Sequence, residues 1–142
     1  MFESKLNKGK ANGYVPLNNL GKVGSDYLDV VDSFKTIPSS SNITINVSGG
    51  SINAMVTLTS SPTTINLTNV RNGDYGCIIL TQGTGGGKTI TLGTLNGSSV
   101  THKVVNNGGG NILLSASEGD IDVISFMYNG TNVYWNVGLN YT

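Results

Sequence analysis

From Asn42 onward the chain alternates apolar and polar residues with period two, the pattern of half-buried strands. Ile43, Ile45 and Val47 form one apolar face, and the turn residues Ser48-Gly49-Gly50-Ser51 follow. Ile52, Ala54, Val56 and Leu58 form the next face, and Ile65 and Leu67 mark a third strand closed by Asn72-Gly73. Tyr75 to Leu80 is apolar on both faces, which predicts a central strand. Ile90 and Leu92 alternate with Thr89 and Thr91, and Val104-Val105 and Ile112 to Leu114 read as shorter pieces around Gly108-Gly109-Gly110. The last two strands are the plainest: Ile121 to Tyr128 and Val133 to Leu139 flank Asn129-Gly130, which suits a type I′ hairpin turn. Val133, Trp135, Val137 and Leu139 then share one face, with the single tryptophan anchoring the core.

About eight short strands with frequent Gly turns predict an all-β fold, an antiparallel β-sandwich or small barrel-like head. One echo allows another arrangement. Thr64-Ile65-Asn66-Leu67-Thr68-Asn69-Val70-Arg71-Asn72-Gly73 resembles Thr89-Ile90-Thr91-Leu92-Gly93-Thr94-Leu95-Asn96-Gly97, as stacked β-solenoid coils would. Two copies are also explained by common strand-and-turn grammar. Ahead of the β region, residues 1–35 show sparse apolar residues and read as an extended N-terminal arm. Within it the only helix signal spans Ser25 to Phe34, with Ser25 as cap and Tyr27, Leu28 and Val31 on one face. The expected domains are therefore the arm, 1–35, and the head, 36–142.

Charge sharpens that boundary. Residues 1–35 hold five Lys, three Asp and one Glu, whereas none of Thr36 to Val70 is charged. Over the 142 residues the formal net charge is zero and charged residues make up 11%, against about 25% in ordinary soluble chains. Neither a basic nucleic-acid footprint nor a platform of aromatics interleaved with Lys or Arg is present, so we expect no nucleic-acid partner. A neutral chain lacks self-repulsion and tends to associate. No run approaches the ~18 apolar residues of a membrane span, and the polar start Met1-Phe2-Glu3-Ser4-Lys5 is no signal peptide. Six Asn-x-Ser/Thr triplets, at Asn42, Asn46, Asn66, Asn96, Asn129 and Asn140, are chance products of an Asn- and Thr-rich chain.

Four groups of residues invite chemistry. Gly83-Thr84-Gly85-Gly86-Gly87-Lys88-Thr89 imitates a phosphate loop, but Gln82 stands where the first Gly belongs and a strand follows where a helix is required. A hairpin loop is the expected reading. His102 and Cys77 are each the sole residue of their type, with no metal-ligand spacing; both are expected to be structural, Cys77 as a buried thiol because it lies in the most apolar strand. Glu118, Asp120 and Asp122 alternate, as the wet face of a strand or as part of a cation site would. Tyr128, Tyr134 and Tyr141 crowd the last hairpin in sequence and form a candidate glycan- or receptor-binding surface, with core or interface packing as the plainer role. We expect no catalytic residues, no cofactor and no enzymatic activity.

Asn12-Gly13-Tyr14-Val15-Pro16-Leu17-Asn18-Asn19-Leu20-Gly21-Lys22-Val23-Gly24-Ser25-Asp26-Tyr27-Leu28 resembles a segment of phage tail and fibre proteins that joins an attachment region to a β-rich head. Gly24 and Asp29 stand where that pattern often has Pro. The run Gly119-Asp120-Ile121-Asp122-Val123-Ile124-Ser125-Phe126, followed by Asn129-Gly130 and Tyr134-Trp135, is similar to the closing hairpin of many phage virion heads. The resemblance implies a structural virion protein, a short head or tail fibre or a capsid decoration, made in the host cytoplasm. It also implies a homotrimer whose arm docks on capsid or tail proteins through Tyr14, Val15, Pro16, Leu17, Lys22, Val23, Tyr27 and Leu28. Independently of it, ordering a residue costs about 1–2 kcal/mol of backbone entropy. The arm has few apolar side chains to offset that, so an ordered arm needs a partner.

Overall fold

Each stretch of alternation forms a strand because its polar face can stay wet while its apolar face finds a second layer. The computed structural model describes residues 34–105 and 111–141. The attachment residues Tyr14 to Leu28 and, apart from the non-helical Phe34, the helix expected over Ser25 to Phe34 lie outside the described residues. Among the described residues the strands are β1 (Lys35–Thr36), β2 (Asn42–Asn46), β3 (Ser51–Leu58), β4 (Thr63–Thr68), β5 (Tyr75–Gln82), β6 (Ile90–Leu95), β7 (Thr101–Val104), β8 (Ile121–Tyr128) and β9 (Asn132–Tyr141).

The all-β expectation holds, in two sheets. One has six strands in the order β1-β3-β5-β8-β9-β7, and the other has three, β2-β4-β6. Strand direction departs from the antiparallel expectation. Only β5 with β8 and β8 with β9 run antiparallel; the other ladders are parallel. From β1 to β6 each strand is followed by one in the opposite sheet, so strands two apart come to lie side by side in the same direction. Ser48-Gly49-Gly50-Ser51 is thus a corner between sheets, with Gly49 and Gly50 at φ 98° and 96°, a region closed to most side chains. This is the stacked-coil arrangement that the internal echo raised. The echoing segments are neighbours, with Thr64 beside Thr91 and Ile65 beside Leu92. Up to Ile65 that register lies two residues from the one the echo suggests, which keeps side chains on their faces; beyond it a register shift sets Leu67 beside Leu95.

The core lies between the sheets. Across the small sheet Ile43, Ile65 and Leu92 form one column, and Ile45, Leu67 and Leu95 another. Opposite them, Ile52, Ala54, Val56, Leu58, Ile78, Leu80, Ile124, Phe126, Val133 and Trp135 are buried. Each fully buried aliphatic side chain contributes about 1.5–3 kcal/mol. Gly76 occupies an inward position of β5, where a Cβ would come within 2.6 Å of the Phe126 ring and 2.7 Å of Ile52. Its bareness makes room for the Phe126–Trp135 pair, whose ring centroids are 5.4 Å apart.

Three local expectations are corrected. Ile112 to Leu114 is not a strand: Ile112 is buried, but Leu113 is 70% exposed in irregular backbone. The last hairpin forms as expected, yet its turn is not type I′. Gly130 alone takes positive φ (88°), while Asn129 Oδ1 accepts hydrogen bonds from the amides of Thr131 and Asn132. The Asn129 side chain thus takes the acceptor role inside the turn, as in an Asx-turn. Finally, Leu139 leaves the face shared by Val133 and Trp135 and is 53% exposed. A register shift where Ile121 meets Tyr141 and Val123 meets Gly138 breaks the alternation there.

Candidate functional site

The groups that invite chemistry are committed to holding the fold. In the glycine-rich loop, the Gln82 side chain, 3% exposed, donates to the Lys88 carbonyl at 2.9 Å and accepts from the Lys88 amide at 2.8 Å. The Gly85 amide donates to Glu118 Oε2, that of Gly86 to Gly83 O, that of Gly87 to Ala116 O and that of Thr89 to Ser61 Oγ. A phosphate cradle needs such amides free and convergent. Here they pin a crossover between the two sheets, not a hairpin, and β6 follows.

The acidic row behaves likewise. Glu118 holds Gly85, and Asp120 accepts from the Ser117 amide at 2.8 Å. Asp122, 1% exposed, accepts from the amide and hydroxyl of Ser115 and from the amide of Asn140. Glu118 and Asp120 sit in the loop before β8, and Asp122 is buried, so the three do not line one wet face. Among the described residues no three His, Cys, Asp or Glu side chains converge on a metal-sized site.

His102 and Cys77 do not meet. The His102 ring bridges the sheets: its Nε2 donates to the Gly93 carbonyl at 2.9 Å, while its Nδ1 accepts from the Trp135 indole at 3.0 Å. That pairing requires a neutral ring with its proton on Nε2. Cys77 is half-buried on the other face of the six-stranded sheet, not in the core as expected, because β5 turns Gly76, Ile78 and Leu80 inward. The three tyrosines also separate. Tyr128 is half-buried against the core, whereas Tyr134 faces outward and is 41% exposed. Tyr141 pairs with Ile121 at the far end of β8, roughly 24 Å along the strand from Tyr128.

What the structure brings together is the outer face of the six-stranded sheet, turned away from the small sheet. Its residues form rows across the ladders. Tyr75, Met127 and Tyr134 make one row, with Lys103 at its end; Asn53, Cys77, Ser125 and Asn136 make the next; Met55, Ile79, Val123 and Gly138 make a third. Tyr75 is 59% exposed and Met127 60%, values high for apolar groups on a central pair of strands. A groove of about 480 Å³ runs along the first two rows, bordered also by Val105. Among the strand residues of this face, Lys103 is the only charged side chain. Of this surface the sequence reading found only Tyr134. Its signal was present in the two-faced apolarity of Tyr75 to Leu80, which a sheet covered on one side alone does not need.

No family model matches the chain, and neither curated proteins nor solved structures offer a significant match.

Proposed function

We propose that the chain is a structural module of a phage-type virion, a short fibre or a capsid or tail decoration. Its N-terminal arm docks on the particle, and its β domain projects outward as a homotrimer. The observation that carries this reading is the apolar, nearly charge-free outer face of the six-stranded sheet, which suits assembly better than solvent. The likeness of the arm segment and of the β8–β9 hairpin to phage fibre proteins supports the particle setting. In this reading the work is assembly rather than catalysis, and no cofactor takes part. The test is mass spectrometry and cryo-microscopy of virions purified from cells that produce the chain. Stoichiometric incorporation with three-fold β density is expected; absence from purified particles would overturn it.

A second reading, host attachment through a glycan or receptor, is favoured by the groove, where Tyr75 and Tyr134 lie close to Asn53 and Asn136. Aromatic faces and side-chain amides are the groups that sugars use. A glycan array probed with the intact chain tests it: retained sugars lost in Tyr134→Ala support it, and an array without hits removes it.

A further inference from the structure

The outer face of the six-stranded sheet can be assigned an occupant. We infer that it seats a second copy of this chain, with the row Tyr75–Met127–Tyr134 at the centre of the contact. This deepens the assembly reading above and rests on it.

Three observations select a copy of the chain over another partner. The face presents only Lys103 as a charged strand residue, at its β7 margin, so a strongly charged partner would find a single lysine to pair with. A partner must instead be neutral and apolar, and every copy of this net-neutral chain carries such a face. The dimensions also suffice. Strands β3, β5, β8 and β9 span roughly 19 Å at ~4.8 Å each, and eight residues extend roughly 27 Å. That is about 500 Å² per copy and about 1,000 Å² in all, the lower bound of a specific interface. The composition fits as well: the exposed Met55 and Met127 adapt to an opposing surface, and Tyr75 and Tyr134 supply large contact area with few rotatable bonds. Asn53, Ser125 and Asn136 lie between the apolar rows and can hydrogen-bond to polar groups of a neighbouring copy.

The test compares the full-length wild type with Met127→Lys and Tyr75→Lys, two outward positions about 60% exposed, in sedimentation equilibrium. Leu113→Lys, 70% exposed and outside the face, is the control. Circular dichroism melts confirm that each variant is folded. Self-association is expected to weaken at least tenfold in both face variants and to stay unchanged in the control. Cys77, in the middle row, reports on the same contact without any substitution. Its alkylation is expected to slow as wild-type concentration rises. A wild type that assembles while both face variants keep its mass, or a Cys77 rate independent of concentration, overturns this surface and leaves the virion reading standing. A wild type that stays single-chain at all concentrations overturns the surface together with the trimer. Absence from virions with the contact intact overturns the particle reading alone.

Discussion

Replacing Asp122 by asparagine keeps the side-chain shape and reverses part of its hydrogen-bonding sense. Oδ1 accepts from the Ser115 hydroxyl at 2.7 Å and from the Asn140 amide at 2.8 Å, and Oδ2 accepts from the Ser115 amide at 2.7 Å. Two of these donors are backbone N–H groups, which cannot be turned round. An asparagine has one carbonyl oxygen, so in either orientation its NH₂ faces one of those amides. One buried donor is then left unsatisfied, at about 1–3 kcal/mol, and the remaining bonds lose the strengthening of a charged acceptor. With 1% exposure, water has little access to rescue them. The sum is a loss of about 2–4 kcal/mol, or roughly 10 °C in melting temperature for a domain of this size. Urea unfolding of Asp122→Asn followed by Trp135 fluorescence measures it directly. A change below about 0.5 kcal/mol would refute this account of how residues 111–117 and the end of β9 are tied to β8. The same melts with calcium or with EDTA are expected to coincide, because Asp122 is occupied by protein donors.

Further outcomes follow from the same geometry. Trp135→Phe removes the indole donor to His102 and part of the packing against Phe126, and unfolding should show a loss of about 2–3 kcal/mol. Nitrogen-15 spectra should place the His102 proton on Nε2 in the wild type, and the opposite tautomer would contradict the bridge to Gly93. Gly76→Ala drives a methyl group into Phe126 and Ile52 and should cost about 1–3 kcal/mol in a denaturant titration. Lys88→Ala should leave stability within about 0.5 kcal/mol, because the loop is held by the Lys88 backbone, and nucleotide binding dependent on that side chain would overturn the reading of the loop.

Period-two alternation told which face of each strand is buried, and it did so from Ile43 to Trp135 with few errors. It could not tell which strand lies beside which. A Gly-rich turn such as Ser48–Ser51 serves equally as a hairpin or as a corner between sheets, and the difference is decided by long-range packing. The antiparallel expectation therefore survived only around β8. A sharper reading was available for the polar anchors. Gln82 and Asp122 stand at inward positions in line with Ile78 and Leu80, and with Ile124 and Phe126. A polar residue on a core face must find partners, which marks both as holders of adjacent loops rather than as surface chemistry. The outer face was harder to see, because Met55, Tyr75, Cys77 and Met127 come from strands far apart in sequence and meet only through the register of the ladders. The three C-terminal tyrosines illustrate the converse: closeness in sequence placed Tyr128 and Tyr134 on opposite faces of one hairpin.

Sedimentation equilibrium of the full-length chain from micromolar to millimolar concentration tests the central claim, that this β domain works by associating with itself. A species of about three times the 14.8 kDa chain mass is expected. A mass that stays at one chain throughout that range would contradict it.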